Sequence, residues 1–479
     1  MPNMWKKYVS DKTYDEYLNS DNKLRRQAII ISHILERHGI KKLNEIEKNC
    51  ASTINARGIN FRVYSSGKKI QEKKWPLDII PRIILKKDWS KVSKGILQRV
   101  KALNLFIDDV YNEKKIFKEN IVPKDLVFKS QFYLKECEGF SPKYKAWSNI
   151  SGIDLIRNIH GEFLVLEDNL RVPSGISYML ENRMVMRDVF PELFTRYKVS
   201  SVHQYPNKLY HCMLECIPRK NKNPHMCVLT PGRNNSAYFE HRFLSEQMGI
   251  ALAEGKDLFV EKDFLYMKTV KGPLKVDCIY RRLDDNFLDP KAFFKESVIG
   301  VPGLFKCWLK KNVGIVNAVG TGIADDKVVY SYVNKMITYY LGEQPILNQV
   351  ETFLCHDDTH RKYVIDNISK LVVKPANASG GYGILIGPKA SQKEKNETID
   401  KIKHNPREFI AQPLEVLSTA PTITNSDIEP RHLDLRPFIL SGKNSYVTTG
   451  GLTRVALRKG STIVNSSQGG GSKDTLIVD

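Results

Sequence analysis

The sequence has no apolar run of membrane length. The longest near its start, residues 28–32, falls far short of the roughly 20 residues that a spanning helix needs. Nor does MPNMWKKYVSDKTYDEY carry the apolar core or small-residue cleavage site of a signal peptide. A cytoplasmic protein with no membrane partner is therefore expected. Framework cysteine spacing is missing too: eight cysteines are scattered over 479 residues, which excludes a disulfide scaffold and fits reduced thiols. Without CxxC pairs, the close group His211, Cys212, Cys216, His225 and Cys227 reads as small buried hydrophobes among Met213, Leu214, Ile217 and Val228 rather than as a zinc site. The formal charge of +21 would attract acidic partners, yet the lysines come in dispersed pairs such as Lys41–Lys42 and Lys310–Lys311, with no block of six. A solvated surface is expected, and no nucleic-acid partner. There is no GxSxG elbow, no HExxH and no GxxxxGK[ST] loop, so neither a serine hydrolase, a zinc protease nor a P-loop enzyme is indicated.

What is present describes an ordered α/β chain. With 42% hydrophobic and 10% aromatic residues, it can bury one large core or two to three domains. Leu24, Ala28, Ile31 and Leu35 step at helical spacing until Gly39, where the pattern is expected to stop. A strand follows at Phe61, Pro76 and Pro81 bracket an extended segment, and Ile96, Val100, Leu103 and Ile107 mark a helix over residues 93–111. Residues 1–150 show no chemistry and read as a helical or α/β cap. Residues 151–330 and 331–479 form the remaining two segments, with strands at 276–282, 408–414 and 431–440 and helices near 239–252, 329–340 and 389–405.

Three stretches carry chemistry. In LVVKPANASGGYGILIGP, residues 371–388, two apolar strands are joined by Gly380, Gly381 and Gly383, with Lys374 at the end of the first. No helix follows the glycines, so the pattern is a strand-loop-strand flap able to bring backbone N–H groups to an anion, or else a plain hairpin. In GIDLIRNIHGEFLVLEDN a turn at His160–Gly161 joins two strands. Alternation puts Glu167 and Asn169 on one face, and a hairpin can bring Asp154 beside them. That is a hard oxygen set suited to Mg²⁺, or the polar end of a surface hairpin. Finally, Arg281 and Arg282 end a strand ahead of Asp284, Asp285 and Asp289. They could hold a carboxylate or simply pair with those aspartates.

Taken in order, EDNLRVPSGISYMLENR, LTPGRNNSAYFEH, IYRRLDDNFLDP, GTGIADDK, VVKPANASGGYGI, FIAQP, DLRPF, GGLTRVA and SSQGGGSKD resemble the circularly permuted ATP-grasp type 2 proteins, over nearly the whole chain from about residue 14. That family is similar in turn to the glutathionylspermidine synthetase type of ATP-grasp ligase. The resemblance implies a circularly permuted ATP-grasp fold of α/β (α+β) class behind an N-terminal cap. It implies ATP and Mg²⁺ as cofactors, and ligation of a small carboxylate to an amine or peptide through an acylphosphate. The metal ligands fall on Asp154, Glu167 and Asn169, and the phosphate-binding lysines on Lys327 and Lys374. The flap falls on Gly380, Gly381 and Gly383, and an adenine-reading backbone on Phe409, Ile410, Ala411 and Gln412. One position departs from the synthetase pattern: an arginine two residues before the first metal ligand is here Gly152. Arg157, Arg171 or Arg454 are the candidates to replace its charge, and Arg281, Arg282 and Arg454 to anchor the carboxylate. A phosphotransferase without ligation, and a basic nucleotide- or nucleic-acid-binding protein, are the alternative functions.

Overall fold

The computed structural model describes residues 5, 8, 13–65, 68–377, 383–424, 427–461, 464 and 470–479. Gly380 and Gly381 of the expected flap, and Gly469 of the last glycine stretch, lie outside the described residues. The expectation at Gly39 is met: at φ 65° and ψ 164° its backbone is not helical, so the run Ile29–Ala56 is two helices that meet at a kink there. Leu43, Ile46, Cys50 and Ile54 form the buried stripe of the second.

The centre is an eight-stranded sheet. Its order is Asn348–Gln349, Phe163–Asn169, Ile150–Arg157, Ile428–Ser441, Ser445–Val455, Gly471–Val478 and Leu77–Leu85, with Thr419–Ile423 pairing beside Ile428–Ser441. Neighbours are antiparallel except at the two ends, where Asn348–Gln349 and Leu77–Leu85 join in parallel. One face is covered by the long helix Lys86–Tyr111. Its Trp89, Val92, Ile96 and Val100, at three- and four-residue steps, pack on Ile153, Leu155, Val165, Leu435 and Ile477. Strands from residues 1–150, 151–330 and 331–479 thus share this sheet.

Of the four smaller sheets among the described residues, two have four strands each. The strands Gly314–Val316, Cys278–Arg281, Met226–Thr230 and Ala251–Glu254 form a wholly parallel sheet. Their near-continuous apolar runs suit burial on both faces. The helix Tyr238–Met248 crosses between two of them and stops at Gly249, whose φ of 65° is the left-handed cap that glycine supplies. The other four-stranded sheet is antiparallel, in the order Phe353–Leu354, Phe409–Pro413, Leu371–Pro375 and Leu385–Ile386, over its own core of Val364, Ile368, Leu371, Val373, Ile402 and Ala411. The helix expected over 329–340 is divided into Lys327–Tyr330 and Val333–Leu341, with the Ser331 hydroxyl donating to the Val328 carbonyl at the break. Among the described residues no helix is long and apolar enough to cross a membrane.

Candidate functional site

Register sets the first wall of the site. In the hairpin, Asp154 lies opposite Glu167 and Gly152 opposite Asn169, so Asp154, Glu167 and Asn169 share one face. Asp168, between the last two, points to the other face. Its buried carboxylate accepts from Nε and Nη2 of Arg99, both at 2.7 Å. That bidentate pair, arising from the covering helix, fixes the strand carrying Glu167 and Asn169 from behind.

Asp154 is not an exposed ligand. Its Oδ1 accepts from Nε of Arg436, and its Oδ2 from Nη2 of Arg436 at 2.7 Å and Nη2 of Arg454 at 2.8 Å. Burial pushes the Asp154 carboxyl up, but the two guanidiniums outweigh it and hold the group down at about 2. Arg454 is tied in turn to Asp434. Arg436 was not among the sequence candidates. The signal available for it was its place in RHLDLRPFIL, two residues after Asp434 and hence on the same face of a strand. Gly152 makes room for it: a Cβ there would lie 3.3 Å from Arg436 Cδ and 3.1 Å from Pro173 Cβ.

The second wall is the antiparallel sheet. Alternation turns Leu371 and Val373 into its core and Lys374 toward the cleft, where Nζ donates to Gln412 Oε1 at 2.6 Å. Gln412 is anchored by its own amide to Thr352 Oγ1 at 3.0 Å. Lys327 closes the third side, its Nζ 3.0 Å from Glu167 Oε1 and its backbone N–H donating to Ala376. Between the walls is a small cavity lined by Leu166, Glu167, Lys327, Tyr330, Lys374 and Ile410, among others. Burial lowers the Lys374 ammonium to about 8, partly offset by Glu167 and reinforced by Lys327.

The strand Phe409–Pro413, which carries Phe409, Ile410, Ala411 and Gln412 of the expected adenine-reading backbone, is paired with Leu371–Pro375 along its length and with Phe353–Leu354 at Ile410 and Ala411. Of these residues Ile410 and Gln412 line the cavity. Of the flap glycines, Gly383 is described. It has φ 73° and stands so close to Pro375 that a Cβ would lie 3.0 Å from Pro375 Cγ.

The remaining arginines divide. Arg157 is buried between Glu16 and Asp88, stacked on Tyr14 and Phe163. Arg281 donates to the carbonyls of Asn317, Ala318 and Leu283 and pairs with Asp285. Both hold the scaffold together at their own ends of the sheets. Arg282 is buried against Glu240 and Ser174, and Arg171 pairs with Asp325 and Asp284 while stacking over Phe132. These two lie along the segment 171–174 that also receives Arg436 Nη1 at the Ser174 carbonyl, 3.2 Å away.

The residues fit a hard cation and a polyphosphate. Glu167 and Asn169 present oxygen-bearing side chains on the face of Asp154, and the Asn169 amide is buried with its nitrogen unpartnered among the described residues. Two lysines, Lys327 and Lys374, line one cavity with Glu167. No group of three His, Cys, Asp or Glu gathers as a metal site among the described residues. Cys212, Cys216 and Cys227, from the close group with His211 and His225, are free thiols.

Residues 81–456 match the circularly permuted ATP-grasp type 2 family. An uncharacterised Synechocystis protein is 48% identical over 472 residues, 98% of either chain. An uncharacterised Mycobacterium tuberculosis protein is 47% identical over 409 residues, 85% of this chain and 74% of that one. A Frankia casuarinae protein named as a candidate glutamate–cysteine ligase is 41% identical over 466 residues, 97% of this chain and 53% of that protein. In three dimensions, a glutathione synthetase-like effector from Globodera pallida superposes with a TM-score of 0.57 at 13% identity, covering 92% of this chain and 98% of the other. That last likeness is one of fold.

Proposed function

The chain belongs to the circularly permuted ATP-grasp type 2 family and is an ATP-grasp carbon–nitrogen ligase, and from that premise we propose that it joins a small carboxylate to an amine or peptide through an acylphosphate. The observation that supports this most is convergence. Lys374, Lys327 and Glu167 come from three distant stretches and line one cavity together with Leu166, Tyr330, Ile410, Asp168, Asp325 and Gln412.

The chemistry asked of the protein is positioning and charge neutralisation. The substrate carboxylate oxygen attacks the γ-phosphorus of ATP, the bond to the bridging oxygen breaks, and ADP leaves. The amine then attacks the acyl carbon, loses a proton, and phosphate departs. Lys374 and Lys327 would bind phosphate oxygens, and Gln412 would hold Lys374 in place. Asp154, Glu167 and Asn169 would hold Mg²⁺, which supplies charge neutralisation at the β- and γ-phosphates. Arg171, whose partner Asp325 lines the cavity, is the proposed anchor for the carboxylate substrate. The region 331–479, with Lys374 and the flap, would be the ATP-binding part. No side chain is needed as a covalent nucleophile, and the free thiols of Cys227 and Cys278, within the strands of the parallel sheet, are fully buried.

The test has two stages. A fluorescent ATP analogue with Mg²⁺ should bind the wild type and bind Lys374→Ala at least about tenfold less tightly; equal binding would end the proposal. ADP and phosphate release should then be screened with amino acids, small peptides and polyamines, with mass spectrometry of the product. The name borne by the Frankia relative puts glutamate and cysteine first among the pairs to try. ADP release that needs an acceptor but no amine would instead identify a phosphotransferase.

A further inference from the structure

Asp154 is held from two sides, and the two holds are unequal. Arg454 keeps a second carboxylate, Asp434, which accepts from its Nε at 2.8 Å and from its Nη2. Arg436 has no such reserve among the described residues: apart from Asp154, its hydrogen bond is the one from Nη1 to the Ser174 carbonyl. It is also the more exposed of the two side chains, 15% against 9%. Anything that draws on the oxygens of Asp154 therefore leaves Arg454 paired and Arg436 unpaired.

Charge gives the direction. Asp154 and Asp434 are balanced by Arg436 and Arg454, and Glu167 by Lys327; Lys374, which lines the cavity with Glu167 and Lys327, is a further cation within electrostatic reach of Asp154. A divalent cation cannot join this set at Asp154 while both guanidiniums remain on that one carboxylate, because like charges within a few ångströms in a partly dry site repel by several kcal/mol. The cation with the weakest anchorage must move. That side chain comes from the neighbouring strand Ile428–Ser441 and runs over Gly152, which shares its strand with Asp154, and the absence of a Cβ at Gly152 leaves its stem space.

Resting on the ligase reading above, we infer that Arg436 is a positioning residue that exchanges with the divalent cation at Asp154. Once exchanged, it turns its guanidinium to the anionic groups that react. The arginine charge of the phosphoryl-transfer site is thereby supplied from the strand Ile428–Ser441, across Gly152, and not from the strand of the metal ligands. The exchange also orders the events: Arg436 becomes available to an anion only when the cation has arrived.

The variants Arg436→Gln and Arg436→Lys test this in the full-length chain. Mn²⁺ alone, followed by electron paramagnetic resonance of the free ion, should bind Arg436→Gln about five- to tenfold more tightly than wild type, since no charged hydrogen bond has to be broken. Mg²⁺-dependent ATP turnover should fall at least about 100-fold in the same protein and be partly restored in Arg436→Lys. A merely structural arginine would give the opposite sign, weaker Mn²⁺ binding with a lowered melting temperature, and that result overturns the inference. So does unchanged Mn²⁺ affinity, turnover within twofold of wild type, or absence of Mn²⁺ binding in every protein. Failure of the ligase reading shows elsewhere, as wild type that does not bind the ATP analogue.

Discussion

Replacing Lys374 by methionine should abolish nucleotide binding and yet relieve the fold of a burden, by an amount that depends on pH. Lys374 is lowered from 10.5 to about 8, burial being the main cause. The ammonium is thus disfavoured in the folded chain alone, and the penalty is present in full below pH 8, at about 3 kcal/mol. As pH rises the folded chain releases this proton first, so wild-type stability climbs between about 8 and 10.5. Methionine has no such dependence. Against the gain stands the bond to Gln412: removing the donor leaves buried Oε1 unpaired, at about 1 to 3 kcal/mol. At pH 7 the two effects nearly cancel or leave Lys374→Met slightly the more stable. The loss at Gln412 does not change with pH, so the difference between pH 7 and pH 9.5 isolates the ammonium, and wild type should gain about 2 kcal/mol on the variant over that interval. Guanidinium unfolding of both proteins at the two pH values measures it, since all other titrating groups are common to both. A stability difference that stays constant with pH, or moves the other way, would refute the account of Lys374 as a cation held against its burial.

The same lysine should report ligand binding: at pH 8.5, where it is mostly neutral, a bound phosphate restores its proton, and calorimetry in buffers of different ionisation enthalpy should show uptake of about 0.7 proton per ATP analogue. Glu167→Ala and Asn169→Ala should lose Mg²⁺-dependent turnover with an unchanged circular dichroism spectrum, because neither side chain packs in the core; undiminished turnover in Glu167→Ala would remove the site from consideration. Asp168→Asn should act on the fold instead, costing about 3 kcal/mol by leaving Arg99 charged and buried without its carboxylate. A urea midpoint unchanged from wild type would contradict that.

What could be read from the sequence is what has a period. Strand alternation gave the shared face of Glu167 and Asn169, and the turn at Gly161, where φ is 81°, gave the hairpin that brings up Asp154. Lys374 stood out because it ends a buried apolar run. Pairings across hundreds of residues leave no period. Nothing in DLRPF says that Arg436 reaches Asp154, because that contact depends on the strand Ile428–Ser441 lying beside Ile150–Arg157. Nor does FIAQP say that its strand is internal; the partner on its far side, Phe353–Leu354, is only two residues long and too short to signal itself. Gly39, a purely local signal, was legible: the helix breaks there.

The N-terminal 150 residues make the same point with a consequence for function. Read alone they have no chemistry, and Arg99 sits on an amphipathic helix like any surface-facing cation. In the folded chain it is fully buried, stacked over Tyr330 and bonded to Asp168 and to Gln349. Asp168 separates Glu167 from Asn169, Tyr330 lines the cavity, and Gln349 belongs to the edge strand paired with them. One guanidinium from the supposed cap therefore ties together three parts of the cavity wall without touching its contents. A strand backbone cannot slide by one residue without exchanging its faces, so fixing Asp168 on the inner side fixes Glu167 and Asn169 on the outer. The cap is part of the site's mechanism of alignment, and a chain begun at residue 151 would keep every proposed ligand while losing what orients them.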